Sequence, residues 1–144
     1  MAMLPVLAIV LIAMFGFLGS VHVYWAFGGQ FARVAAIPEF RGAPSFSPGR
    51  MATLLVAFGL FACAALIGAA TGFIDPPVPA IVIKRGCFGL ALLLLLRAIG
   101  DFRLVGFFKT VRYSRFAWLD SALYSPLCLA LALGVGVVGW EAGA

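Results

Sequence analysis

The sequence predicts an all-α fold: an integral membrane four-helix bundle with up-down topology and both termini on the outer side of the membrane. Composition is the first observation behind this prediction. The 144 residues are 65% hydrophobic and 10% charged, with a mean hydropathy of +1.16, whereas soluble domains are about half apolar and a quarter charged. The second observation is that the apolar residues fall into four runs. Each run is long enough to cross a hydrocarbon core of about 30 Å as a helix.

Proline and glycine mark where these runs end. The predicted helices cover, approximately, residues 4–27, 51–73, 80–99 and 118–140. Paired glycines end the first helix, and three prolines prevent a continuous helix in the connector that follows. A proline-rich turn makes the second and third helices antiparallel neighbours. The length fits one unit, so residues 1–144 are predicted to form a single transmembrane domain with cytoplasmic connectors 28–50 and 100–117.

The basic residues predict the orientation of the bundle. Most of them lie in the two long connectors: Arg33, Arg41, Arg50, Arg103, Lys109, Arg112 and Arg115. The positive-inside rule places both connectors in the cytoplasm, and Lys84 and Arg85 near the other end can snorkel to the outer headgroups. We therefore expect a multi-pass protein of the bacterial cytoplasmic (inner) membrane. The same rule accounts for the net charge of +5, so no nucleic-acid partner is expected.

Arg97 is the most informative charged residue. If Arg85 sits at the outer interface, Arg97 lies about 18 Å deeper along the same helix, still within the hydrocarbon. A lone arginine at that depth costs about 2.5 kcal/mol or more, so a partner is expected. Asp101 lies one turn further on the same helical face. The sequence therefore predicts an Arg97–Asp101 ion pair that faces the bundle interior.

Other polar residues are predicted at the same depth, and the opposite end of the bundle has almost none. The predicted ligand-binding residues are Arg97, Asp101, His22, Asp120 and Tyr124. Structural explanations remain open for each of them. The Arg97–Asp101 pair could be a latch, Asp120 a helix cap and Tyr124 an interface aromatic, while His22 could simply be hydrogen-bonded at the interface.

No catalytic, metal or cofactor motif is recognisable. His22 is the single histidine, so an axial haem ligand role would require a second ligand from another subunit. Cys63, Cys87 and Cys128 are scattered in apolar runs without metal-binding spacing. The glycine pattern at 134–139 lies in a predicted membrane helix with no strand before it, which excludes a dinucleotide loop. We expect no cofactor and no metal, and we assign no catalytic residue.

Four segments in order resemble the small bacterial four-helix membrane proteins of the uncharacterised domain-of-unknown-function family 3995. They are "HVYWAFGG" (22–29), "PEFRGAPSFSPGR" (38–50), "RAIGDFRLVGFFK" (97–109) and "LDSALYSPLCL" (119–129). The resemblance covers nearly the whole chain. It implies that the five predicted site residues and Trp25 lie in family-type motifs, and it implies no activity.

Three functions are consistent with these observations. The first is a binding module, in which the polar cluster holds the headgroup of a lipid-like or isoprenoid-like amphipath and Arg97 binds the anion. The second is an accessory or assembly subunit whose partner is another membrane protein or a second copy of the chain. The third, least favoured, is a membrane enzyme that uses His22 with Asp101 or Asp120 on a lipid substrate. Binding is favoured over catalysis.

Overall fold

The computed structural model describes residues 3–40 and 43–142, and within them the chain is helical as predicted. The helices are α1 (Met3–Ala26), α2 (Arg50–Ala70), α3 (Ala80–Ile99) and α4 (Arg115–Glu141). The first connector also holds a short 3₁₀ turn, Val34–Ala36, and a two-residue antiparallel strand pair, β1 (Glu39–Phe40) and β2 (Ala43–Pro44). Arg41, one of the basic residues used to predict orientation, lies outside the described residues.

The four helices pack in an antiparallel, up-down arrangement. On α1, Gly19 faces Phe61 of α2, and the pair α3–α4 meets where Gly139 faces Cys87. Buried apolar side chains of all four helices form one core: Ala8, Leu11, Phe15, Ile67, Cys87, Leu131, Val135 and Val138. Lipid tails are as apolar as leucine, so helix packing inside a membrane depends on close van der Waals contact. The glycines provide that contact where helices approach.

Three of the helices, α1, α2 and α4, are long and apolar enough to cross a membrane. The third, α3, carries Lys84, Arg85 and Arg97 within 20 residues, which lowers its apolar character. Large apolar side chains such as Phe17, Phe58 and Leu133 point away from the core and are mostly exposed. An outer surface of this kind favours lipid over water. The fold is therefore that of a membrane protein.

Helix α4 contains a wider turn close to its start. Residues Asp120–Tyr124 are π-helical, and the Ser125 N–H donates to the carbonyl of Asp120 five residues earlier. Pro126 follows directly and has no N–H to donate. Such π-turns often occur at functional sites. Here the turn begins at Asp120, which is fully buried.

The close α3–α4 contact gives a matched pair of variants. A Cβ at Gly139 would lie 2.8 Å from the Cys87 Cβ, whereas a Cβ at Gly136, one turn earlier, would lie 4.0 Å from Ala91. Both Gly→Ala changes gain the same helix propensity. We expect Gly139→Ala to be less stable than Gly136→Ala by about 1–3 kcal/mol because of overpacking. Thermal unfolding in detergent measures the difference, and equal stability of the two variants would contradict this packing.

Candidate functional site

A buried carboxylate, that of Asp120, organises the polar end of the bundle where α3 ends and α4 begins. Its side chain is 0% exposed. Its Oδ1 accepts a hydrogen bond from Arg97 Nη2 at 2.8 Å, and its Oδ2 accepts from Lys109 Nζ at 3.0 Å and from the Gly106 backbone N–H at 2.7 Å. A buried ion is tolerated only with good geometry and further hydrogen bonds. Asp120 has both.

Lys109 is buried with Asp120, although the sequence places it among basic connector residues. Only 2% of Lys109 is exposed. Its Nζ donates to Asp120 Oδ2 and to the Gly106 carbonyl, both at 3.0 Å, and lies 2.6 Å from the Ser121 hydroxyl. Three acceptors match the three hydrogens of an ammonium. Lys109 therefore links Asp120, the Gly106 carbonyl and Ser121 in one buried network.

A tight loop between α3 and α4 brings the third donor to Asp120. Gly100 and Gly106 have positive φ angles, +97° and +90°, and their backbones touch, so side chains at these positions would collide. The Phe107 N–H donates to the carbonyl of Ala98 at 2.8 Å, which folds the loop back onto the end of α3. As a result the Gly106 N–H points at the carboxylate.

Asp101 has a different role from the predicted one. The prediction of an Arg97–Asp101 ion pair is wrong. Arg97 pairs with Asp120 instead, and Asp101 lies beyond the end of α3. One oxygen of Asp101 accepts the backbone N–H groups of Arg103, Leu104 and Val105 at 2.7–2.9 Å. The helix stops at Ile99, so the helical spacing that predicted the pair does not apply to Asp101.

The same N–H groups set the acidity of Asp101. Partial desolvation acts to raise its pKa, but the backbone donors together outweigh that effect and hold the pKa below its ordinary value of 3.8. A carboxylate that accepts several N–H bonds is stabilised in its charged form. Asp101 thus caps the loop that positions Gly106.

Arg97 lies between the buried carboxylate and an open cavity. Its side chain is 35% exposed. While Nη2 binds Asp120, Nη1 is buried and has no hydrogen-bond partner among the described residues. The cavity, about 490 Å³, is lined by Arg97, Asp101 and apolar groups, including Ala36, Phe46, Val105 and Phe116. We call it the Arg97 cavity.

Among the described residues, neither Tyr124 nor His22 forms a hydrogen bond with Arg97. The Tyr124 hydroxyl donates to the carbonyl of Ala35 at 3.2 Å, which ties the first connector to α4. His22 Nδ1 lies 2.8 Å from the carbonyl of Leu18, and its ring packs edge-on against Trp25. His22 lines a separate cavity. Of the five predicted site residues, the structure therefore places Arg97 and Asp120 in direct contact and Asp101 beside them.

Sequence reasoning missed Lys109 and Gly106 as partners of Asp120. Nothing in the connector distinguishes Lys109 from its basic neighbours, and a backbone N–H has no sequence signature. The two glycines of "GDFRLVG" (100–106) were the available signal, since glycines at the ends of a short loop often mark backbone that only glycine can adopt. Across residues 3–40 and 43–142 no group of His, Cys, Asp or Glu could hold a metal.

Fold and site together define a small all-helical membrane protein with a charged cluster buried at one end of its bundle. Residues 15–135 match the family described as a protein of unknown function (DUF3995), and the chain belongs to that family. The family predicted from the four motifs is therefore confirmed. No curated protein and no solved structure matches the chain.

Removing the charge of Asp120 tests its central position. Asp120→Asn leaves Arg97 and Lys109 facing each other without an anion, and we expect a loss of about 3 kcal/mol or more of stability because uncompensated buried charge is costly. Asp75→Asn, in the exposed turn at the other end, is the matched control and should change little. Titration with SDS in detergent micelles measures both. Similar stability of the two variants would show that the cluster is unimportant for folding.

The pKa of Asp101 gives a test by pH. Because its pKa is lowered in the folded state, its contribution is present above its ordinary pKa and is lost as the pH falls through the lower, folded value. We expect amide exchange at Arg103, Leu104 and Val105 to accelerate below pH 3.8, relative to core amides of α4. In Asp101→Asn these amides should exchange faster than in the wild type above pH 3.8, without that step. A step that persists in the variant would assign it to another group.

Proposed function

We propose that the protein binds the anionic headgroup of a lipid-like or isoprenoid-like amphipath in the Arg97 cavity. The protein would be multi-pass in the bacterial inner membrane, with this end of the bundle on the cytoplasmic side. One observation carries the proposal: Arg97 lines an open cavity, and its buried nitrogen Nη1 has no hydrogen-bond partner among the described residues. Buried donors are normally paired, and an unpaired one is a candidate ligand contact.

The charge of the cluster supports an anionic ligand. Two cations, Arg97 and Lys109, share the single carboxylate of Asp120, which leaves one net positive charge. Lys109 is enclosed, whereas Arg97 is partly exposed. A guanidinium binds carboxylate or phosphate through two parallel hydrogen bonds. The excess charge is therefore accessible to a ligand through Arg97.

The remaining lining of the cavity narrows the kind of headgroup. Asp101 also lines it, and a carboxylate there repels a simple anion but accepts a hydrogen bond from a hydroxyl or an ammonium. Ala36, Phe46 and Phe116 supply apolar walls suited to the first part of a tail. A headgroup with both an anionic oxygen and a hydrogen-bond donor matches this lining. Glycerol and ethanolamine phospholipids have that combination.

An accessory-subunit role is the second candidate, and a groove between α2 and α3 favours it. Small residues, among them Ala62, Ala69 and Gly86, line this apolar groove of about 340 Å³. Small side chains allow another helix to approach closely. In this role the Asp120 cluster would be a latch that fixes the bundle end, and it would bind no ligand.

Arg97→Lys separates the two candidates. Lysine keeps the charge beside Asp120 but lacks the second guanidinium nitrogen. We expect phosphatidylglycerol and phosphatidylethanolamine to bind the variant roughly tenfold more weakly, with thermal stability little changed. Native mass spectrometry in detergent measures lipid binding. Arg85→Lys, on the same helix at the other end, is the control.

Two further arms complete this experiment. Val105→Phe narrows the cavity without removing a charge and should also weaken binding. Inorganic phosphate as competitor shows whether the site binds a free anion or requires the tail. Wild-type affinity in Arg97→Lys, or an equal loss in Arg85→Lys, would reject headgroup binding at Arg97 and favour the latch.

A further inference from the structure

A second cavity lies at the same end of the bundle, between α1, the first connector and the start of α2. Its volume is about 260 Å³. Most of its wall is apolar, with Trp25, Ile37, Phe46 and Val56 among the lining residues. The polar groups that reach it belong chiefly to His22 and Arg33. We call it the His22–Arg33 cavity.

The hydrogen bond of His22 determines which ring nitrogen can serve a ligand. Nδ1 lies 2.8 Å from the carbonyl oxygen of Leu18. A carbonyl oxygen only accepts, so Nδ1 carries the hydrogen and Nε2 is left for another partner. Among the described residues no hydrogen bond engages Nε2. The ring itself is held by the edge-on contact with Trp25, at 4.9 Å between centroids.

Arg33 is held loosely by the protein. Its Nη2 donates to the carbonyl of Pro48 at 3.5 Å, a long and weak bond. The residue is half-buried. Arg33 takes no part in the Arg97–Asp120 and Lys109–Asp120 ion pairs. A half-buried guanidinium with spare donors beside an apolar cavity can bind a carboxylate or a phosphate.

We infer that the His22–Arg33 cavity is a second binding site, for the carboxylate end of a single-chain amphipath of the fatty-acid class. Arg33 binds the carboxylate, His22 Nε2 accepts a hydrogen bond from a water that bridges to it, and the chain runs along Trp25 and Val56. The volume of the cavity, about 260 Å³, is too small for a phospholipid. Ligand cavities are commonly about 300–1,000 Å³, and this one lies just below that range, so a compact headgroup and one chain fit.

This site is separate from the Arg97 cavity proposed above. The two cavities share only the wall formed by Ala36 and Phe46 of the first connector. Each has its own arginine, Arg33 in one and Arg97 in the other. Substitution of one arginine should therefore leave the other site intact, and the two proposals can fail independently.

Trp25 provides a direct readout of occupancy. Its indole N–H donates to the carbonyl of Phe31 at 2.8 Å, which fixes the ring at the cavity wall. Trp118→Phe/Trp140→Phe leaves Trp25 as the single tryptophan, since the chain has three. In this full-length background in detergent, a bromine-terminated dodecanoate should quench Trp25 fluorescence in a saturable manner. Its methyl ester, which lacks the charge, should quench only by non-saturable partitioning.

Three substitutions in that background locate the site. Arg33→Gln should raise the apparent Kd for bromododecanoate roughly tenfold or more through loss of charge-assisted bonds. Val56→Phe should reduce binding by filling the cavity while leaving both polar groups in place, so the test survives if Arg33→Gln fails to fold. Arg85→Lys, on α3 at the other end of the bundle, should leave the quenching unchanged.

Several results would overturn the inference. Saturable quenching by the methyl ester would show that Arg33 does not recognise the headgroup, and non-saturable quenching by the acid would show partitioning alone. Loss of saturable quenching in Arg97→Lys but not in Arg33→Gln would move the ligand to the other cavity. Displacement of bromododecanoate by acetate at equal concentration would show that a free carboxylate suffices and the apolar chain adds nothing.

Discussion

The structure depends on one buried carboxylate. Asp120 lies at the start of the last helix with no exposed surface, and its two oxygens are bound by a side chain from α3, a side chain from the connector and a backbone N–H. An ion so placed is costly unless its partners are all present. It therefore holds α3, the connector and α4 in one arrangement. Arg97, one of those partners, also lines the Arg97 cavity.

The membrane explains why the buried charges of Arg97, Lys109 and Asp120 are gathered in one cluster. Hydrocarbon offers no hydrogen bonds, so each charge must find a partner within the protein or reach the interface. The outer surface of the helices is largely apolar, while most of the basic residues lie in or beside the two long connectors. Both cavities open where apolar walls meet these charges. We propose an amphipath as the ligand of each cavity because its acidic end matches the charges and its apolar chain matches the walls.

Composition and run length predicted the fold well, because a helix that crosses a membrane leaves a long, continuous signal. The helices begin and end within a few residues of the predicted positions, since glycine and proline act locally. The site was harder to predict. Helical spacing joined Arg97 to Asp101, but the helix ends at Ile99 and the chain then turns back. The true partner, Asp120, is 23 positions away in sequence, and only packing brings the two together.

Lys109 shows the same limit. Its burial follows from the loop fold, which depends on two glycines in backbone conformations that other residues rarely adopt. A basic residue in a basic connector gives no sign of this burial.

His22 lies near the polar end as expected. The first connector runs between His22 and Arg97, however, and divides the one expected pocket into two cavities.

The Gly106 N–H that binds Asp120 has a further consequence. A backbone donor cannot be exchanged for another chemical group by ordinary substitution, apart from proline, which lacks it altogether. The crowded contact between Gly100 and Gly106 also leaves no space for a side chain at either position. If Arg97 or Lys109 is substituted, a different cation at the same position can still supply the positive charge beside Asp120. Substitution of either glycine would displace the loop itself and remove the backbone hydrogen bond from Gly106 to Asp120.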